Sequence, residues 1–127
     1  MSTQNKKILV VEDETPLRQA IFDKFEREGF QTFQGKNGEE GLETALKEHS
    51  DIILLDIIMP QVDGLSMLKS LRKDSWGANA KVLLLTNLND AEYVATAMES
   101  GVFDFLVKSD WKLDDLVIRV KEKLGIV

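Results

Sequence analysis

The sequence predicts an α/β fold: a doubly wound, five-stranded parallel sheet sandwiched between two layers of helices, with strand order 2-1-3-4-5. Three observations lead there. Short apolar runs, Ile8 to Val11, Ile52 to Leu55 and Val82 to Leu85, carry no polar alternation, the pattern of strands covered on both faces. Strand and helix patterns alternate five times at compact spacing, which calls for parallel strands joined by right-handed crossovers with helices on both faces. The run from Phe30 to Phe33 is interleaved with polar residues, as on an edge strand, and this sets the switch in strand order between strands one and three.

Each element has its own signal. Ile8 to Val11 stops abruptly at Glu12, Asp13 and Glu14. Thr15 before Pro16 reads as an N-cap followed by proline at the first helical position, and Leu17, Ala20, Ile21 and Phe25 share one helical face before Gly29. After the edge strand, Gly35 to Gly38 makes a turn in which Asn37 caps a helix carrying Leu42, Ala45 and Leu46 inward. The central strand, Ile52 to Leu55, ends on Asp56. Pro60 forbids a simple continuation of the ladder, and Gly64 stands where the next helix begins, with Leu65, Leu68 and Leu71 as its stripe as far as about Asp74. Trp76 to Asn79 reads as loop. Lys81 to Thr86 is the fourth strand and closes on a hydroxyl. A helix from about Ala91 to Ser100 places Ala91, Val94, Ala95 and Met98 on one face, and Gly101 stops it. The last strand, Val102 to Val107, is interrupted by Asp104 and closes on Lys108. The final helix aligns Leu113, Leu116, Val117, Val120 and Leu124.

Composition narrows the function. The 127 residues fit one domain, read as 1–127 with no output domain in the chain. With no cysteine, thiol catalysis, disulfides and zinc-thiolate sites are impossible; with His49 as the single histidine, so is a histidine relay or a multi-histidine metal site. No apolar run approaches spanning length and no signal peptide precedes the first strand, so the expected location is cytoplasmic with no membrane partner. A net charge of -6 argues against direct nucleic-acid binding and favours cations or basic protein surfaces.

The strand order gathers Glu12, Asp13, Asp56, Thr86 and Lys108 at the carboxyl edge of neighbouring strands. Carboxylates a few ångström apart repel, by roughly 4 kcal/mol per pair at about 4 Å and an effective dielectric of 20, and a cation relieves this. An oxygen-only donor set without a full protein cage suits Mg²⁺. A carboxylate surrounded by Mg²⁺, an ammonium and a hydroxyl is equipped for phosphoryl transfer.

Over essentially its whole length the chain resembles the receiver domain of two-component response regulators, a family of flavodoxin-like three-layer sandwiches. The carriers are Val10-Val11-Glu12-Asp13-Glu14, Leu55-Asp56-Ile57-Ile58-Met59-Pro60-Gln61-Val62-Asp63-Gly64, Leu84-Leu85-Thr86 and Phe105-Leu106-Val107-Lys108. The resemblance implies that Asp56 accepts a phosphoryl group from the phosphohistidine of a histidine kinase or phosphotransfer protein. It further implies that Glu12, Asp13, Asp56 and the backbone carbonyl of Ile58 hold Mg²⁺, and that Thr86 and Lys108 contact the phosphoryl oxygens. Phe105 matches the switch aromatic, which turns inward when Thr86 moves. The surface of the fourth helix, fifth strand and fifth helix would then repack to control a downstream protein target or a missing output domain, and would support a phosphorylation-dependent homodimer. Such a domain is a regulatory phosphoacceptor, not an enzyme acting on an external substrate.

Two positions depart from the family pattern: Ser109 replaces the proline usual after the lysine, and Asn87 stands where Ala or Gly is common. Ile58 and Leu88 beside the site are expected to exclude water and lengthen the phosphoryl lifetime. The rival reading is a constitutive interaction module with weak or no phosphorylation. Flavin and dinucleotide binding are disfavoured, because no glycine-rich phosphate loop follows the first strand. A haloacid-dehalogenase-type phosphatase would want an Asp at the position of Ile58.

Overall fold

A computed structural model describes residues 5–57, 64–86, 91–102, 104–107 and 112–126. Their strands are β1 (Lys7–Val11), β2 (Gln31–Gly35), β3 (Ile52–Asp56), β4 (Val82–Thr86) and β5 (Phe105–Val107). The helices are α1 (Thr15–Arg27), α2 (Gly38–Glu48), α3 (Gly64–Lys73), α4 (Ala91–Glu99) and α5 (Leu113–Leu124). All strand pairs are parallel and the order is β2-β1-β3-β4-β5, as expected from the sequence.

Strand alternation divides the core in two. On one face Leu9, Val11, Ile53, Leu55, Val82 and Leu84 pack with Ala45 of α2, Met67, Leu68 and Leu71 of α3, and Ala97 of α4. On the other, Ile8, Val10, Ile52, Leu54, Leu83 and Leu85 pack with Ile21 and Phe25 of α1 and Leu116, Val117 and Val120 of α5. Both faces of β1, β3 and β4 are thus covered, which is why these strands read as unbroken apolar runs. Truncating a residue such as Ile53, which is fully buried, is the kind of change that costs about 2–5 kcal/mol.

Several boundaries differ from the sequence reading. Thr15 is the first residue of α1, not its cap; Glu14 holds the cap position in extended conformation without a side-chain capping bond. Asn37 does cap α2, its side-chain oxygen accepting from the Glu40 N–H at 2.9 Å, worth about 1 kcal/mol. β2 runs one to two residues later than Phe30 to Phe33, and β5 has shrunk to three residues beyond Asp104, whose carboxylate takes an ion pair from Lys123. Gly77–Asn79, expected as loop, forms a single 3-10 turn, and Trp76 before it stacks on His49 with ring centroids 4.5 Å apart.

The largest difference concerns α4. Of the face read from its sequence, only Val94 packs against the core: Met98 is 41% exposed, Ala91 and Ala95 are exposed, and the helix's fully buried residue is Ala97, off that face. Ala91, Val94, Ala95 and Met98 line a cavity of about 260 Å³ with Thr86, Phe105 and Val107. The stripe was legible as a face, but its small alanines over a short β5 leave a cavity beside it.

Candidate functional site

In a parallel sheet, residues in register on neighbouring strands lie about 4.8 Å apart. Val11 of β1 pairs with Leu55 of β3, so the next residues along, Glu12 and Asp56, emerge side by side at the carboxyl edge, at the point where the strand order reverses. Glu12, Asp13 and Asp56 each place a carboxylate oxygen within 4.8 Å of the others. Glu12 is fully buried and Asp56 is 2% exposed, while Asp13 is half-buried. At that distance and an effective dielectric of 20, each pair of charges repels by about 3.5 kcal/mol.

The backbone fixes these positions. The Glu12 N–H donates to the Gly35 carbonyl at 3.1 Å, extending the β1–β2 ladder past the last strand residue. The Glu12 carboxylate turns back to accept from the Glu14 N–H at 3.2 Å. Beyond Asp56, the Ile57 carbonyl accepts from the Gly64 N–H at 2.8 Å, which seats the start of α3 against the end of β3. The approach is so close that a Cβ on Gly64 would fall 2.3 Å from the Asp56 carbonyl oxygen and 2.7 Å from the Ile57 Cα. This position requires glycine for space.

Thr86 sits one residue past Leu85, the register partner of Asp56, and is 1% exposed. Its hydroxyl donates to the Leu106 carbonyl of β5 at 3.4 Å. Phe105, on the same strand, is 40% exposed and borders the apolar cavity beside Thr86. The structure therefore brings together Glu12, Asp13, Asp56 and Thr86, with Phe105 adjacent to the last. Ile58, Lys108, Asn87, Leu88 and Ser109 lie outside the described residues.

Among the described residues a single donor set emerges. Three clustered carboxylates, two of them buried, form an all-oxygen acidic site compatible with Mg²⁺, a hard cation bound by few carboxylates and several waters. No helix among the described residues is long and apolar enough to cross a membrane.

The family model of the response regulator receiver domain matches residues 8–121. The chain belongs to that family. It is 32% identical over 122 residues to the sporulation initiation phosphotransferase F of Bacillus subtilis, with 96% of each chain covered. It is 34% identical over 124 residues to the regulatory protein AtoC of Escherichia coli, covering 98% of this chain and 26% of that one. With the probable transcriptional regulator ycf27 of Porphyridium aerugineum the identity is 33% over 105 residues, 83% of this chain and 42% of the relative. The receiver thus spans less than half the length of some relatives and nearly all of another. Among solved structures, the Francisella response regulator 1452 receiver domain superposes with a TM-score of 0.82 at 36% identity, covering 95% of this chain and 98% of that one. Vibrio cholerae chemotaxis protein CheY4 does so with a TM-score of 0.84 at 26% identity, over 92% and 97%. The receiver is thus a CheY-like, flavodoxin-type regulatory switch domain of two-component systems.

Two arginines that hold backbone in place, one beside the receiver's site and one at the far edge of the sheet, were missed by sequence reasoning. Arg18 of α1 donates through Nη1 to the Glu12 carbonyl at 2.9 Å and through Nε to the Gln34 side-chain oxygen at 3.1 Å. Arg72 of α3 donates to the carbonyls of Ser100 at 2.8 Å, Gly77 at 2.7 Å and Ala80 at 2.9 Å, fastening the end of α4 to the sheet's opposite edge. Arg18 follows the partly buried Leu17, and nothing in the sequence marks it apart from an ordinary cation on a helix surface.

Proposed function

We propose that residues 1–127 form one receiver domain that works as a phosphorylation-activated switch, with Asp56 accepting a phosphoryl group from the phosphohistidine of a histidine kinase or phosphotransfer protein. The observation that carries this reading is the convergence of Glu12, Asp13 and Asp56 within 4.8 Å at the reversal of strand order, beside the buried hydroxyl of Thr86. A carboxylate oxygen of Asp56 attacks phosphorus, the bond from phosphorus to the imidazole nitrogen breaks, and the imidazole leaves to take up a proton from water. An acyl phosphate results.

Glu12, Asp13, Asp56 and the carbonyl of Ile58 would hold Mg²⁺, which supplies the positive charge that offsets the clustered carboxylates and the phosphoryl oxygens. Asp56 acts as nucleophile. Burial of Asp56 and Glu12 limits the water that competes for the phosphoryl group. Thr86 and Lys108 would donate to the phosphoryl oxygens. For Thr86 to do so it must leave the Leu106 carbonyl, and the cavity it borders is then open to the Phe105 ring. This repacks the face of α4, β5 and α5, where Tyr93, Met98, Phe105 and Ile118 are exposed, and so changes affinity for a downstream protein, an output domain or a second copy.

The test is intact mass after incubation with acetyl phosphate and Mg²⁺. One added phosphoryl group, absent from Asp56→Asn and from a chelated sample, supports the reading. No adduct in the wild-type protein, together with no response to beryllofluoride, would instead favour a constitutive interaction module.

A further inference from the structure

The peptide that joins the two first-strand carboxylates is itself clamped. Its carbonyl is that of Glu12, and Arg18 Nη1 donates to it at 2.9 Å. The same guanidinium is oriented by the Gln34 side chain of β2, which accepts from Nε at 3.1 Å. The adjacent residue of β2, Gly35, accepts from the Glu12 N–H, so β2 holds Glu12 from one side directly and from the other through Arg18. The Glu12 N–H bond fixes the preceding peptide plane, so the Glu12–Asp13 plane is oriented at its carbonyl by the one Arg18 hydrogen bond, whose direction Gln34 sets through Nε. Rotation of that plane is the motion that would swing the Asp13 carboxylate relative to Glu12.

We infer that Arg18, oriented by Gln34, is a positioning residue for the divalent-cation site: it sets the angle between the Glu12 and Asp13 carboxylates and thereby the site's preference for Mg²⁺. The inference rests on the reading of this cluster as a metal site. The charge of Arg18 acts the other way, because a cation beside a divalent-ion site opposes binding. The two effects have opposite signs, so they can be told apart. Mg²⁺ demands near-ideal octahedral geometry, whereas Ca²⁺ tolerates irregular and flexible ligand sets. Loosening the peptide plane therefore weakens Mg²⁺ binding selectively. Lysine keeps the charge of Arg18 but has one ammonium and no rigid fork, so it cannot hold the Glu12 carbonyl and Gln34 in a fixed plane. Gln34→Leu removes the orienting contact and leaves the arginine charge untouched.

The experiment is titration of the wild-type protein, Arg18→Lys and Gln34→Leu with Mg²⁺ and separately with Ca²⁺, followed by backbone amide shifts, with thermal unfolding in chelator as the control for folding. The expected result is a loss of Mg²⁺ affinity of about tenfold in Arg18→Lys, and a smaller loss in Gln34→Leu, with Ca²⁺ affinity changed much less. A merely structural role would lower the melting temperature and leave the ratio of the two affinities where it was. An unchanged ratio in both variants overturns the inference, as does a gain in Mg²⁺ affinity in either. Should Arg18→Lys not fold, the Gln34→Leu ratio decides alone. A wild-type protein that binds no Mg²⁺ would sink the metal reading beneath it, a failure distinct from equal ratios in proteins that do bind.

Discussion

Asp13 is the half-buried member of a cluster whose other two carboxylates are covered, and this makes it the residue at which repulsion and metal binding are most cleanly separated. In the proposed reading its charge opposes folding while no cation is bound and ligates Mg²⁺ when one is. Asp13→Asn is expected to raise stability in chelator by about 1 kcal/mol, the pairwise repulsion being reduced by solvent near the surface. It is also expected to lower Mg²⁺ affinity, so that the stabilisation gained on adding Mg²⁺ shrinks. Urea unfolding of both proteins, with chelator and with saturating Mg²⁺, reads both quantities. A variant less stable in chelator than the wild type would mean that Asp13 serves a structural contact instead. Residues of this kind were legible because each closes an apolar run. Arg18 and Arg72 were not, because an arginine that reaches backbone carbonyls looks in sequence like any helix-surface cation.

At the scale of elements, the start of α3 is pressed onto the end of β3, and Gly64 is what permits it. Gly64→Ala forces a methyl to within 2.3 Å of the Asp56 carbonyl oxygen, against backbone that cannot turn aside. The helix start or the strand end must shift. We expect a loss of stability of about 1–3 kcal/mol, the range for overpacking, together with slower acceptance of phosphoryl from acetyl phosphate than in a comparably destabilised core variant such as Ile53→Val. Equal rates in the two variants would show that the shift does not reach Asp56.

α1 and α5 are tied by charge as well as by their apolar faces. Lys24 donates to Asp114 at 2.7 Å and lies 3.5 Å from Glu28, which Lys121 also approaches at 3.4 Å. The hydrogen bond with Lys24 holds the Asp114 carboxyl below its ordinary value of 3.8, and the same bond raises Lys24 above 10.5. A depressed carboxyl contributes stability above its unfolded-state value and loses it as pH falls through the lower folded value. A raised ammonium contributes below its unfolded-state value and loses it as pH rises through the higher folded one. The tie is therefore complete between about pH 4 and about pH 10. The difference in urea midpoint between the wild type and Asp114→Asn should be largest near pH 7 and shrink as pH falls below the ordinary carboxyl range. A difference independent of pH would exclude the ion pair as its source. The effect is small, as both groups lie at the solvent edge.

Across the whole molecule, the sheet order and both helical layers were legible because the strands differ in kind: β1, β3 and β4 each carry four consecutive apolar residues, while β2 is mixed. What sequence periodicity could not supply is distance. The stripe on α4 was visible, but whether it meets the sheet or stands over a cavity depends on the length of β5 and the size of Ala91 and Ala95, which only three dimensions decide. The same limit applies to the site. The polar strand ends were read one at a time, and the parallel register of β1 with β3 is what turns them into a cluster. The fold thus places clustered carboxylates at one edge and an apolar cavity beside Thr86 on the same edge.

The central claim is that Asp56, and no other carboxylate of the cluster, takes the phosphoryl group in a cation-dependent reaction. An acyl phosphate is reduced by borohydride to an alcohol, which converts the modified aspartate to homoserine and marks it permanently. Peptide mass mapping after acetyl phosphate, Mg²⁺ and borohydride should find homoserine at position 56 alone, and none when the cation is chelated. Homoserine at position 13, or at position 56 regardless of the cation, would contradict the account.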